Sequence, residues 1–271
     1  VVASANRTHA AHVRRALGAG HTVLAEKPLA LSCEEAQSLA AAGAGARLAY
    51  AENHWHAPAI EAAAALVADG RIGRARRVVA TLSHIGPPHG TWFWDKAQSG
   101  GGAWLDLGVH LVGTVPRLLG EPIAQIDAAD FVFDGAIDVE AQVAMRTASG
   151  VPIEVACSWR APAFACTYRV EGEDGAVEAV IEPQPGALIL EQRGTRDHVP
   201  YPDAAGRALG PAIRRGYVRQ MHCAVAAAQA GTAPELGFAA GQDALALILR
   251  GYEAAQNKTT QGETYARASP P

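Results

Sequence analysis

Asp106 and His110 stand four residues apart, just beyond the run Ser99-Gly100-Gly101-Gly102. On a helix that spacing puts a carboxylate and an imidazole on one face, where both can act on the same atom. The three glycines leave backbone without side chains, so a ligand or a second segment can come close. Leu105, Val109 and Val112 follow at helical spacing. An imidazole that titrates near neutrality, held beside a carboxylate, is suited to moving a proton on and off a hydroxyl. A buried histidine capped by an aspartate after a tight turn fits the same residues equally well.

Other polar clusters punctuate the chain. Ser4, Asn6 and His9 follow a short apolar start, Glu26-Lys27-Pro28 follows Thr22 to Ala25, and Asn53 follows Leu48 to Glu52. Trp92-Phe93-Trp94-Asp95-Lys96 is unusually aromatic for a loop. Such faces suit a polyhydroxylated ring or a flat aromatic ligand, and serve equally as a plug on a core. His54-x-His56 with His84, His89 and His110 matches no closed zinc spacing, and no metal is expected.

The elements that would position these groups follow from pattern. Val1 to Ser4 reads as a strand, and a helix with Ala10, Val13, Ala16 and Leu17 closes at Gly18 and Gly20. Thr22 to Ala25 is a second strand. Ser32-Cys33-Glu34-Glu35 is a capping box opening a helix that stops near Gly43, and Leu48 to Glu52 is a third strand. This alternation is the grammar of a parallel, doubly wound sheet, in which ligands gather at the carboxyl ends of the strands. All three polar clusters fall there.

Beyond Asn53 the pattern changes. A helix with Ile60, Ala63, Ala64 and Val67 ends at Gly70, residues 76–85 alternate, and the glycine-rich helix runs to about Leu119. Residues 139–159, 166–172 and 175–182 read as hairpins of an antiparallel sheet with one face against helices. Residues 192–216 read as a loop, and helices near 217–230 and 238–256 close the fold.

At 271 residues, 49% hydrophobic and net charge −4, the chain has no electrostatic footprint for nucleic acid or an anionic membrane. Its four cysteines are scattered without a C-x-x-C pair, which suits a reducing cytoplasm.

With these pieces placed, the sequence resembles the Gfo/Idh/MocA family of nicotinamide-dependent sugar and polyol oxidoreductases. Ala3 to His9 resembles the "A-T-P-N-x-x-H" segment, with Ala5 in place of proline. Val23 to Leu29 carries "E-K-P", and Gly100 to His110 matches "G-G-G-x-L-x-D-x-G-x-H". Glu52-Asn53 through Pro58 and Gly70 to Gly73 resemble the family's linker and next helix, with His54-Trp55-His56 where relatives often place an arginine and an aromatic.

The resemblance implies a fold in two parts. Residues 1–52 would be the C-terminal part of a Rossmann domain. Residues 53–271 would form an α+β domain with a large, mostly antiparallel open sheet covered by helices on one face, the last helix packing back on the first part. It also implies that a G-x-G-x-x-G turn and its βαβ units precede Val1, so that NAD and NADP cannot be told apart. Lys27, Asp106 and His110 would be catalytic, with His110 exchanging the hydroxyl proton and Asp106 orienting His110 or the substrate hydroxyl. Ser4, Asn6, His9, Glu26, Lys27 and Asn53 would bind the cofactor, and His56, Trp92 and Trp94 the substrate. The implied function is hydride transfer at a secondary hydroxyl of a sugar, inositol or related polyol, by a cytoplasmic homo-oligomer joined through the open sheet face. An NAD-dependent glycoside hydrolase and a non-catalytic regulator are the alternatives within the same family.

Overall fold

The computed structural model describes residues 1–183, 186–201 and 212–261. Its first part is built on a short parallel ladder. Helix α1 (Asn6–Gly18) buries His9, Ala10, Val13 and Leu17 along one face. Strand β1 (Val23–Glu26) and strand β2 (Leu48–Ala51) pair in parallel, from Val23 with Leu48 to Glu26 with Ala51. Between them run α2 (Cys33–Ala41) and the short α3 (Ala44–Arg47). Ser32 Oγ accepts the Glu35 amide at 3.2 Å, and Glu35 reaches back to the Leu31 amide at 2.9 Å. The capping box read from the sequence thus opens α2, its return bond falling one residue earlier than Ser32.

The strand expected over residues 1–4 is reduced to a parallel bridge between Val2 and Ala25, and Val1 is 77% exposed. One paired residue makes no ladder, so the backbone there is positioned by the bridge alone.

The second part begins with α4 (Pro58–Ala68), whose proline occupies the first helical turn, where its missing N–H costs nothing. Strand β3 (Ala75–Ser83) follows, then a 3₁₀ turn (Trp92–Trp94), α5 (Lys96–Ser99), a π-helical turn (Trp104–Gly108) and α6 (Val109–Leu119). Next come β4 (Ile123–Asp134), β5 (Ile137–Thr147), β6 (Pro152–Ser158), β7 (Ala165–Gly172), β8 (Gly175–Glu182), β9 (Ala187–Gln192) and β10 (Thr195–His198). Helices α7 (Ala212–Ala230) and α8 (Phe238–Gln261) complete the described fold.

These eight strands form one sheet in the order β10-β9-β8-β7-β3-β6-β5-β4, antiparallel except where β3 meets β6. Val78, Ala80 and Leu82 of β3 point into the core with Trp104, Leu111, Val155 and Tyr168. Arg77, Val79 and Thr81 point to the opposite face, as the period of a strand requires. Helix α8 joins the two parts: Leu245 packs with Val13, Leu39 and Tyr50, while Leu247 and Ile248 pack with Trp104.

Two expectations are corrected here. Residues 192–198 are not loop, because β9 and β10 pair as a hairpin around Arg193 and Gly194, both at positive φ. The arginine and glycine that read as loop composition serve the turn instead. The rest of that expected loop lies partly outside the described residues, and α7 starts at Ala212, ahead of the expected 217. Among the described residues no helix is long and apolar enough to cross a membrane.

Candidate active site

Lys27 leaves the end of β1, and its Nζ donates to Asp106 Oδ1 at 2.6 Å and to the Asp106 carbonyl at 2.8 Å. Its peptide bond to Pro28 is cis. Burial works against the ammonium, but Asp106 and Glu52 outweigh it and hold the Lys27 pKa above its ordinary range. Burial likewise works against the Asp106 carboxylate, and Lys27 outweighs that, so Asp106 is held low. The two form an ion pair with side chains 17% and 18% exposed, enough for a small molecule to reach them. Trp159, at the end of β6, donates its Nε1–H to Asp106 Oδ2 at 3.3 Å.

The glycine run is held from below. Asp138, buried on β5, accepts the Gly102 and Trp104 amides, each at 2.7 Å, and the Tyr252 hydroxyl at 2.9 Å. A Cβ on Gly102 would strike the Asp138 carbonyl oxygen, so the close approach of these backbones requires glycine. Asn6 donates to the Ser99 carbonyl at 2.8 Å and ties α1 to the start of the same run.

His110 opens α6 one turn after Asp106, yet no hydrogen bond joins them among the described residues. Its Nδ1 faces Glu52, at 2.8 Å from Oε1 and 2.9 Å from Oε2. Glu52 is fully buried, and Oε1 also accepts the His54 amide at 3.0 Å. The His54 ring stacks on His110 with centroids 4.6 Å apart, and its Nδ1 lies 2.8 Å from the Tyr168 hydroxyl. Burial pushes His110 well below the ordinary imidazole range, pushes His54 down to about 3, and raises Glu52. The geometry thus offers no direct orientation of His110 by Asp106, whose carboxylate is instead paired with Lys27 and Trp159.

The remaining candidates divide. Glu26 lies beside Lys27 at the end of β1, and burial raises its pKa. Ser4 Oγ and Asn53 Nδ2 are buried without a hydrogen-bond partner among the described residues. His9 is 2% exposed, and burial lowers its pKa to about 4. Trp94 stacks on His89 at 4.0 Å and lies 5.8 Å from Trp159, and Trp92 stacks on Phe93, whose ring reaches Trp159 at 6.1 Å. His56 is set apart, in a small cavity with Tyr50, Gln220 and Cys223, facing Arg117, Glu235 and Arg219.

Glu52, Trp159 and Tyr168 were not among the residues singled out from sequence. An acid ending the apolar run Leu48 to Ala51 is the one local signal for Glu52. The histidine set offered by the sequence is not assembled; instead donor atoms of Glu52, His54 and His110 lie within 4.8 Å of one another. Those of Glu52 and His110 already share a hydrogen bond, and His54 Nδ1 is engaged by Tyr168.

Two family models match the chain. Residues 1–79 match the oxidoreductase family with an NAD-binding Rossmann fold, and residues 60–178 match the GFO/IDH/MocA C-terminal domain. The chain belongs to the Gfo/Idh/MocA family of oxidoreductases. It is 34% identical to 1,5-anhydro-D-fructose reductase of Ensifer adhaerens over 46% of this chain and 38% of that protein. It is 29% identical to trans-1,2-dihydrobenzene-1,2-diol dehydrogenase of Bos taurus over 73% of this chain and 59% of that protein. The matches thus span less than two thirds of either curated relative. Among solved structures, GenD2 from gentamicin A biosynthesis in complex with NAD superposes with a TM-score of 0.79 at 27% identity, covering 94% of this chain and 75% of that one.

Proposed function

We propose that this chain carries the catalytic group of an NAD(P)-dependent oxidoreductase acting on a secondary hydroxyl of a sugar, inositol or related polyol. The observation that carries the reading is the Lys27–Asp106 ion pair at 2.6 Å, next to an imidazole whose Nε2 has no protein partner among the described residues. Lys27 stabilises negative charge developing on the substrate oxygen, and Asp106, which also accepts the Trp159 N–H, holds that ammonium in place. His110 Nε2 takes the hydroxyl proton in oxidation and returns it in reduction.

Cofactor fit is supported by unmet polar atoms rather than by the motif alone. Ser4 Oγ and Asn53 Nδ2 lack partners among the described residues, and Glu26 and Lys27 crown β1 where a doubly wound sheet gathers ligands. A nicotinamide held there supplies the hydride acceptor or donor. Asn6 serves the site indirectly, since its amide is committed to Ser99. The aromatic wall of Trp92, Phe93 and Trp94 around Trp159 suits the apolar face of a cyclic polyol. A reductase of an anhydro-sugar and a dehydrogenase of a cyclic diol among the relatives are in keeping with such a ring. His56 is not retained as a substrate contact.

The open face of the large sheet takes a second copy of the chain in this reading. Its charges are already paired across strands, as in Arg77–Glu154 and Arg169–Glu191, each at 2.6 Å. Four free cysteines fit a reducing cytoplasm.

Nicotinamide absorbance tests the reading. The full-length gene product is offered NAD and NADP with a panel of polyols, inositols and sugars, alongside His110→Ala. Turnover that the variant lacks is the expected result. Cofactor binding without net reduction by any substrate would overturn it, in favour of a hydrolase or a regulator.

A further inference from the structure

We propose that Glu52 is a positioning residue that holds the proton of His110 on Nδ1, leaving Nε2 as the atom that exchanges a proton with substrate. The inference rests on reading His110 as the proton acceptor and adds the device that makes it one.

The argument starts from what an ionised carboxylate can do. It accepts hydrogen bonds and donates none. Glu52 Oε1 accepts the His54 backbone N–H at 3.0 Å, which turns the carboxylate toward His110 and fixes it there. Burial raises Glu52, but the His54 N–H and the Lys27 charge oppose that and favour the anion; with both oxygens of the anion within 2.9 Å of Nδ1, that nitrogen carries the proton. The neutral ring is then unprotonated at Nε2.

A second layer prevents the ring from turning. His54 lies flat against it, 19° from parallel, and is itself held by Tyr168. Tyr168 approaches the His110 carbonyl at 3.4 Å, so ring and backbone are both held by one cluster.

Among the described residues Glu52 is the carboxylate in hydrogen-bond contact with the His110 ring. Lys27 faces His110 and opposes its protonation, while Asp106 favours it from across the ion pair. His54 stays neutral, as burial lowers it to about 3, and burial raises the Tyr168 and Cys166 groups well above their ordinary ranges. His84, which faces Asp106 and Lys27, is lowered by burial, and Tyr217 on α7 is raised by it. In oxidation the substrate O–H bond breaks as Nε2–H forms, and the C–H electron pair leaves as hydride to the nicotinamide. The imidazolium so formed has Glu52 against its other nitrogen, and the Nδ1–H bond is never broken.

Nitrogen-15 NMR of the ring-labelled, cofactor-free protein reads the tautomer directly, the His110 signals being assigned by their loss in His110→Ala. Protonated Nδ1 and bare Nε2 at pH 7–8 are expected in the wild type, with a shift toward the other tautomer in Glu52→Gln. In kinetics, Glu52→Gln lowers kcat for oxidation by roughly 10²–10⁴-fold with cofactor KM within about twofold, and Glu52→Asp recovers part of it. Loss of the anion also makes the imidazolium less stable, so the limb along which the rate rises with pH moves to lower pH.

A wild-type ring protonated on Nε2 would overturn the proposal without any variant having to fold. So would a Glu52→Gln enzyme with kcat within about threefold of wild type and an unmoved limb, set against the expected loss. If His110→Ala turns over normally, the function reading fails separately, while the tautomer measurement still stands on its own.

Discussion

Lys27 and Asp106 lie 79 residues apart in sequence and 2.6 Å apart in space. The contact crosses from the end of the small parallel ladder to the π-helical turn ahead of α6. It is a charge-assisted bond between partly buried groups, and each partner depends on the other for its charge.

Lys27→Met removes the cation and leaves Asp106 buried without its ion partner. The carboxyl pKa then rises, since Lys27 is the chief group lowering it. Turnover is expected to fall by at least ~10²–10³-fold, the usual cost of losing one charge-stabilising donor. Lys27→Arg should not rescue it, because a planar fork cannot replace a point charge in this space. Steady-state nicotinamide kinetics check both variants.

Trp159→Phe keeps the aromatic body and deletes the N–H that reaches Asp106 at 3.3 Å. One long hydrogen bond is worth about 1 kcal/mol, so kcat/KM should drop by roughly fivefold. Trp94→Ala, which touches the wall and not the ion pair, should raise substrate KM with little change in kcat. Equal loss of kcat in both variants would contradict this division of labour.

Asp138→Ala strands the Gly102 and Trp104 amides and the Tyr252 hydroxyl at once. Buried donors without acceptors make this a costly substitution, about 2–4 kcal/mol in unfolding free energy. A lower urea midpoint with an unchanged slope is the expected signature.

Stability should fall with acid earlier than carboxylate titration alone would cause. Burial lowers His9 and His56 to about 4 and His54 to about 3, against an ordinary value of 6.5. Below pH 6.5 the unfolded chain takes up protons that the folded chain refuses, so unfolding is favoured as pH drops through that window. His9 and His56 each contribute on the order of 3 kcal/mol that is present above pH 6.5 and lost by about pH 4, and the larger His54 contribution is lost only by about pH 3. Thermal midpoints measured from pH 7.5 to 4.5 should decline steadily, and His9→Gln should flatten the slope by up to one proton.

The open sheet face predicts an oligomer. Thr81 and Thr167 meet there at 2.8 Å in the middle of the sheet, between the paired arginines and glutamates. Thr81→Lys would place an unpaired charge at that centre and is expected to yield monomer by light scattering. Wild-type protein that is already monomeric at micromolar concentration would end the idea.

Much of this was legible in the chain itself. Glu26-Lys27-Pro28 and Gly100 to His110 mark candidate positions by residue type and local spacing, because a strand end and a helical turn place neighbouring residues predictably, while the catalytic roles given to them came from the family resemblance. Local pattern also sufficed for α1, α2, α4 and the central hairpins, whose apolar periods are strong. It did not suffice for β9 and β10, where polar residues on a strand and an arginine at positive φ look like loop.

Partnership was the part that local pattern could not hold. Sequence spacing pairs Asp106 with His110, whereas the folded chain gives Asp106 to Lys27 and His110 to Glu52, 58 residues away. Glu52 reads as the polar end of a buried strand, and Trp159 as a core aromatic. Their roles come from the packing of α6 against the end of β2 and of β6 beneath the glycine run. Residue type determines which chemistry a side chain can do; which proton it holds is decided by the group that burial brings against it.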